Sequence, residues 1–223
     1  MKKETKKIMI PLTIGIILIA LAVTFAAFYT STKTQEDVST TDLGIELVQT
    51  GGSGAVTLDT SSKYSGGFSY TGMPGSDPID EQVAVKNTGS KPAYIRVTIN
   101  RSWKKDGTKV SDVDPQEIGI VTNSGDWYVD TASDKNHEQV ICYYKYPLKS
   151  GEQTANVMDS FTIMKDLAGQ NSNAYSGLQS EIDFKAEGIQ TTSAKDAMLA
   201  EWGVNVTMDS SGTITAMPAE QQD

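Results

Sequence analysis

Cysteine and histidine are almost absent from this chain, since each occurs once among 223 residues. Cys142 therefore has no second thiol for an intramolecular disulfide, and the folded domain must depend on a hydrophobic core. A catalytic zinc site generally takes three protein ligands, often from an H-E-x-x-H helix, but this chain offers only His137 followed by Glu138. We expect no catalytic residue, no metal and no cofactor. Cys142, which lies within a predicted strand, is interpreted as a buried structural thiol rather than a nucleophile.

A surplus of positive charge is also lacking. The chain has 19 lysines and arginines against 28 aspartates and glutamates, a formal net charge of −9. Residues 1–27 contain four of the lysines and a single glutamate, so the rest of the chain is more acidic still. Nucleic-acid binding needs a basic footprint, and we expect no nucleic-acid partner.

Long apolar runs are missing except for one, residues 8–28, which carries no charge and follows four lysines. The basic residues predict that the run enters the membrane with its N-terminal end in the cytoplasm. Its length suits a retained membrane anchor, whereas the small residues Ala26 and Ala27 are typical of a signal-peptidase site. We expect cleavage between Ala27 and Phe28, which makes residues 1–27 a leader. A chain that keeps this segment is instead anchored in the membrane.

Beyond the junction the pattern changes to polar residues and then to alternation. Residues 28–41 are rich in serine and threonine and form either a linker or an assembly segment. In residues 42–47 the apolar side chains occupy every second position, which predicts a strand with one buried face that ends at residues 51–54. These apolar residues are Leu43, Ile45 and Leu47.

Many more short strands follow at close spacing. They are predicted at residues 55–58, 68–70, 82–87, 93–100, 103–110, 127–129, 139–146, 161–163, 178–187, 205–208 and 213–217. Residues 82–87 and 93–100 are interpreted as one antiparallel ribbon, and Asp106-Gly107 as a tight hairpin turn. Ser193 has the spacing of a helix cap, and Gly203 is a suitable C-terminal stop.

This pattern predicts an all-β fold. One sheet cannot cover its own apolar face, so two antiparallel sheets are expected to pack as a β-sandwich of jelly-roll type over residues 42–217. One short C-terminal helix lies within that domain, residues 218–223 form a frayed tail, and an apolar helix precedes the domain.

Two further groups of residues have alternative interpretations. Oxygen ligands for Ca²⁺ are available in one loop, but their spacing differs from that of an EF-hand, and an acidic solvated loop is favoured. These residues are Asp130, Asp134, Asn136 and Glu138. Trp103 and Trp127 suit a carbohydrate-binding face, although core packing is the favoured interpretation.

Several separated segments resemble the TasA/camelysin family of exported Gram-positive proteins, which includes biofilm matrix fibre subunits. The resemblance is carried by residues 24–28, 41–47, 83–90, 175–177, 186–190 and 201–204. Together these segments span most of the chain in the order found in the family.

The resemblance implies a jelly-roll fold, processing by a dedicated signal peptidase, and polymerisation by insertion of one subunit's N-terminal segment into the next. Phe28 and Tyr29 are then the anchors of the inserted segment, residues 28–41, and the strand with Leu43, Ile45 and Leu47 follows it. The expected partners are copies of this chain or a related fibre subunit, on the surface of a Gram-positive bacterium or secreted from it.

Two alternatives remain. The domain is a surface-binding module that does not polymerise, or it is an atypical metallopeptidase of the camelysin kind. The single histidine argues against the second.

Overall fold

A computed structural model describes residues 44–71, 77–131, 134–163 and 174–217. The predicted leader, the assembly segment with Phe28 and Tyr29, and the frayed tail lie outside the described residues. Within the described part of the chain, antiparallel strands dominate and there is a single α-helix, which confirms the all-β prediction.

Thirteen strands are described. They are β1 Ile45–Gly52, β2 Asp59–Ser62, β3 Ser65–Tyr70, β4 Ile79–Asn87, β5 Ala93–Lys105, β6 Thr108–Val110, β7 Ile118–Val121, β8 Trp127–Asp130, β9 Gln139–Tyr144, β10 Met158–Ile163, β11 Gln179–Gln190, β12 Thr207–Met208 and β13 Ile214–Ala216. The helix α1 spans Ala194–Trp202, and Pro115–Glu117 form one turn of 3-10 helix.

The first eleven strands form two sheets. A four-stranded sheet has the order β1-β4-β10-β7, and a seven-stranded sheet has the order β2-β3-β11-β5-β9-β8, with β6 paired to β5. The longest ladder joins β5 and β11 at the middle of the larger sheet, from Ala93 opposite Gln190 to Lys104 opposite Gln179.

One hydrophobic core is shared by both sheets. The four-stranded sheet contributes Ile45, Leu47, Val83, Val85, Met158 and Phe161, and the seven-stranded sheet contributes Phe68, Ile95, Val97, Ile99, Cys142, Ile182 and Phe184. Tyr70 on β3 meets Phe161 on β10 edge-to-face, with ring centroids 5.5 Å apart. Inward-facing side chains from two sheets thus bury each other, as the alternation in the sequence predicts.

The prediction that residues 82–87 and 93–100 pair with each other as one ribbon is wrong. Both segments are strands, but β4 belongs to the smaller sheet and β5 to the larger one. Asn87, which is fully buried, donates from its amide to the carbonyls of Lys91 and Leu148 at 2.8 and 2.9 Å. These bonds hold residues 88–92 as a corner between the two sheets, so the turn residues reverse the chain without forming a hairpin.

The hairpin at Asp106-Gly107 is confirmed. Lys105 is opposite Thr108, and the two turn residues have φ values of 50° and 79°. Positive φ at both central positions is the geometry that matches the twist of the flanking strands.

A second, smaller core lies on the outer face of the seven-stranded sheet. Helix α1 and the β12–β13 hairpin pack there against Tyr94 and Ile189, which are 3% and 8% exposed. The Tyr94 hydroxyl donates to the Gly212 carbonyl at 2.6 Å. The C-terminal elements therefore cover the outer face of β5 at this end.

The end of β1 at Gly52 lies within the predicted stop at residues 51–54. Two other local predictions need correction. Residues 55–58 are not a strand, and β2 begins later, at Asp59. Ser193 has a left-handed φ of 55° and makes no side-chain capping bond, although helix α1 does start after it and end at Gly203.

Candidate functional site

Two of the predicted assembly residues, Ile45 and Leu47, lie on strand β1 within the described residues. Ile45 and Leu47 are 1% and 3% exposed and point into the shared core, opposite Asn87 and Val85 of β4. Their burial confirms the predicted alternation. The other predicted site residues, which are Ala26, Ala27, Phe28, Tyr29 and Leu43, lie outside the described residues.

The side of β1 that faces away from β4 is an edge of the four-stranded sheet. There the backbone amide of Leu47 donates to the Lys63 carbonyl at 2.6 Å. Lys63 directly follows β2, which pairs with β3, so the chain crosses from β1 to the seven-stranded sheet before the Lys63 carbonyl meets the edge of β1. We call residues 53–63 the covering segment.

A buried carboxylate holds the first half of the covering segment. Glu81 on β4 has no exposed surface, and its two oxygens accept hydrogen bonds from the Gln49 amide at 2.7 Å, the Ser53 hydroxyl at 3.0 Å and the Val56 backbone amide at 3.4 Å. Gly52 lies against this carboxylate, where an added Cβ would clash with a Glu81 oxygen. A side chain at residue 52 would therefore push the carboxylate away from its donors.

Gln49 contacts the same segment from β1. Its amide nitrogen reaches the Val56 carbonyl at 3.4 Å, and its oxygen accepts the Leu58 backbone amide at 3.1 Å. Gln49 and Glu81 thus bind the backbone of residues 53–58 by polar contacts. Val56 is the one residue of this stretch that belongs to the buried core.

Glu81 has a signal in the sequence, but it lies outside the predicted strand of residues 82–87. Side chains alternate along a strand, so every second residue of β4 lies on the same face. The residues on that face are Ile79, Glu81, Val83, Val85 and Asn87. A glutamate and an asparagine on an otherwise apolar face indicate buried polar groups that need hydrogen-bond partners. Those partners come from distant residues, and periodicity alone does not name them.

The predicted acidic loop is organised by Asp134. Its carboxylate accepts the backbone amides of Asn136, Glu138 and Gln139 at 3.0, 2.8 and 2.8 Å. The amide of Asn136, followed by those of Gln139 and Glu138, lowers the pKa of Asp134. The carboxylate therefore stabilises the backbone of the loop, as expected for a solvated loop with a structural role.

Two further residues of this loop, Glu138 and His137, also form polar contacts. Glu138 forms an ion pair with Lys109 at 2.6 Å. His137 has a left-handed φ of 58°, and its carbonyl accepts from the Arg101 side chain at 2.8 Å. In the described ranges, no group of three or more histidines, cysteines, aspartates and glutamates is arranged to hold a metal ion.

Cys142 is a core residue, as predicted. It is fully buried on β9 between Val97 of β5 and Val129 of β8. Burial raises the pKa of its thiol to about 12. Because thiolate is the nucleophilic form, this environment makes the side chain unreactive near neutral pH.

The two candidate carbohydrate-binding tryptophans are also buried. Trp103 is 4% exposed and donates from its indole to the Asp114 carbonyl at 3.0 Å. Trp127 is 1% exposed and donates to the Ala155 carbonyl at 3.2 Å. Their faces pack inside the domain, which confirms the core interpretation.

No α-helix in the part of the chain that the structure describes is long and apolar enough to cross a membrane. No protein-family model, curated protein or solved structure gave a match to this chain. The geometry of β1 and the covering segment is thus the feature on which a functional proposal rests.

Proposed function

We propose that this chain is an exported structural protein of a Gram-positive cell surface. After removal of residues 1–27 by a signal peptidase, copies of the domain assemble with one another or with a related fibre subunit by exchange of an N-terminal strand. Before cleavage, residues 8–28 hold the chain in the membrane. The product is a fibre subunit of a biofilm matrix or an accessory of such a fibre.

One observation carries this proposal: β1 starts shortly after the assembly segment, residues 28–41, and is an edge strand. Ile45 and Leu47 fix β1 in the core of its own domain. The described domain therefore begins at a fixed strand, and we propose that residues 28–41 add as an extended strand to a neighbouring subunit. Main-chain hydrogen bonds provide affinity in this mode of assembly, and alternate side chains provide specificity.

The order of the strands supports the jelly-roll type as the finer description of the fold. The chain crosses repeatedly between the four-stranded and the seven-stranded sheet, with β1, β4, β7 and β10 in the smaller one. Such crossings are typical of Greek-key and jelly-roll sandwiches, which leave edge strands that need covering.

The proposal is tested with secreted, processed protein. Electron microscopy of the wild type is expected to reveal fibres, and the mass of the N-terminus is expected to correspond to cleavage before Phe28. Deleting residues 28–38 is expected to leave a folded monomer. The control is a variant in which the same residues are scrambled, which preserves length and composition.

Unchanged fibres from the deletion variant would overturn strand exchange as the mechanism. A wild-type protein that is processed, folded and monomeric would favour the surface-binding module instead. Retention of residues 1–27 in the mature protein would indicate a membrane-anchored surface protein.

A further inference from the structure

The outer face of the seven-stranded sheet is bounded at both ends. At one end helix α1 and the β12–β13 hairpin lie on it, and Trp202 packs there against Tyr143 and Arg96, whose guanidinium is 5.1 Å from the ring centre. At the other end the β5–β6 hairpin places Lys104 opposite Lys109. The part of the face between these ends is open within the residues that the structure describes.

Short side chains form the floor of this open part. They occupy the outward-facing positions of β3 and β5, because the alternate residues of both strands, such as Phe68 and Ile99, are buried in the shared core. The residues of the floor are Ser65, Gly67, Ser69, Thr98, Asn100 and Ser102. Larger side chains stand at the two ends, so the face forms a shallow trough.

The charged side chains along the trough form ion pairs with one another, with the exception of Asp183. The pairs are Glu187 with Arg96 at 2.7 Å and with Lys185 at 3.2 Å, and Glu181 with Lys104. Within the described ranges, no protein donor bonds the Asp183 carboxylate. Asp183 is exposed, and its oxygens are therefore acceptors that a ligand can reach.

A glycine positions the Asp183 carboxylate. Asp183 lies opposite Gly67 of β3 on one side and opposite Asn100 of β5 on the other. A Cβ at residue 67 would clash with an Asp183 oxygen, so the missing side chain makes room for the carboxylate. Asn100 is oriented from its far side, where its Oδ1 accepts from the Gln139 amide at 3.1 Å. This bond uses the oxygen and leaves the Asn100 amide nitrogen to donate elsewhere.

An acceptor and a donor thus lie side by side on adjacent strands, where the Cβ atoms of directly opposite residues are about 5 Å apart. Two neighbouring hydroxyls of a sugar ring fit such a pair, because a hydroxyl both donates to a carboxylate and accepts from an amide. We propose that the trough binds a neutral glycan, with Asp183 as the acceptor and Asn100 as the donor for adjacent hydroxyls.

The charges favour a neutral glycan over a charged one. The chain has a formal net charge of −9, which disfavours an acidic polysaccharide. A cationic ligand would compete with Arg96, Lys104 and Lys185 for carboxylates that are already paired. The trough belongs to the larger sheet and β1 to the smaller one, so glycan binding goes beyond the function proposed above and does not depend on it.

The experiment probes processed protein with an array of immobilised neutral oligosaccharides, together with uronic-acid and amino-sugar oligosaccharides. Wild type is expected to bind neutral glycans. Asp183→Ala is expected to weaken this binding about ten-fold or more, the factor for a lost hydrogen bond to a charged group, and Asn100→Ala about five-fold, the factor for a neutral one. The control is Asp80→Ala, which removes the same charge from an exposed position on β4 of the smaller sheet and is expected to change nothing.

Urea denaturation of each variant separates lost binding from lost folding. If Asp183→Ala lowers the free energy of unfolding, Asp183→Asn replaces it, because that change keeps the shape of the side chain and removes the charged acceptor.

Three results would overturn the proposal: no neutral glycan bound by wild type, a preference for charged oligosaccharides, or equal losses in Asp183→Ala and Asp80→Ala. Fibre formation is scored on the same samples. Fibres that bind no neutral glycan would refute this inference alone, whereas monomers that bind one would refute the proposed assembly and retain the glycan site.

Discussion

The centre of the seven-stranded sheet and the edge formed by β1 are held by different forces. At the centre, β5 and β11 pair along their whole length, and apolar residues such as Ile99 and Phe184 fill the space beneath them. At the edge, residues 53–58 are held largely by the side chains of Gln49 and Glu81.

The two regions therefore contribute differently to the stability of the domain and to the accessibility of the β1 edge. Apolar burial contributes several kcal/mol per large side chain when its cavity cost is included, whereas a hydrogen bond contributes about 1 kcal/mol net. The centre therefore determines whether the domain folds. The edge is expected to open before the centre does.

The largest expected effect is at the centre. Phe184 is 1% exposed, and its ring meets that of Phe68 edge-to-face at 5.6 Å. Phe184→Ala is expected to lower the free energy of unfolding by about 3–5 kcal/mol, because it leaves a cavity in the shared core. Urea denaturation measures the change, with Leu199→Ala as the control because Leu199 is 55% exposed. Equal effects of the two changes would refute the contrast between core and surface.

An intermediate effect is expected at the edge. Glu81→Gln replaces one acceptor oxygen of the buried carboxylate with a donor that faces other donors. The free energy of unfolding is expected to fall by about 1–3 kcal/mol, the range for a buried polar group left unsatisfied. Thermal denaturation is the measurement, and Glu201→Gln, at an exposed helix position, is the control. An unchanged melting temperature for Glu81→Gln would show that the carboxylate does not hold the edge.

A smaller effect, visible as pH dependence, is expected at Asp134. Backbone amides depress its pKa below the ordinary value of 3.8, so its ionised form stabilises the fold above that value. This contribution is lost as the pH falls through the lower pKa of the folded state. Urea denaturation between pH 6 and pH 2 is expected to find wild type more stable than Asp134→Asn at the upper end, with the difference vanishing at the lower end. A difference that persists or grows on acidification would contradict this assignment.

The smallest effect concerns Cys142, which is expected not to react in the folded protein. With a pKa of about 12, the thiolate fraction at pH 8 is roughly one in ten thousand, and the side chain is also inaccessible. Alkylation with iodoacetamide followed by mass spectrometry measures this. Protein unfolded in urea is the control and is expected to react readily. Rapid labelling of native protein would mean that the strands next to β9 open often.

The sequence predicted most of the strands because period-two alternation is a local property. Ile45 and Leu47 are buried as expected, and the Asp106-Gly107 turn forms the expected hairpin. The pairing of strands was harder to predict. Turn residues at 88–92 look the same whether they join two strands of one sheet or connect two sheets, and the choice depends on Asn87 and its distant acceptor at Leu148.

The candidate site was predictable only in part. The alternation in β1 identified the strand, but neither the covering segment nor its contacts follow from it. Glu81 and Gln49 lie 32 residues apart in sequence, and the Lys63 carbonyl meets Leu47 only because the chain returns along the sandwich. Contacts of this range have no local signature.

Antiparallel strands around an apolar core could be predicted from the residues alone, because side-chain alternation follows from the geometry of a single strand. Three features required the folded structure: β4 and β5 belong to different sheets, the C-terminal helix covers the outer face at Tyr94, and the Lys63 carbonyl binds the edge of β1. These outcomes depend on which distant groups satisfy one another once the strands have packed, and that is a property of the whole fold.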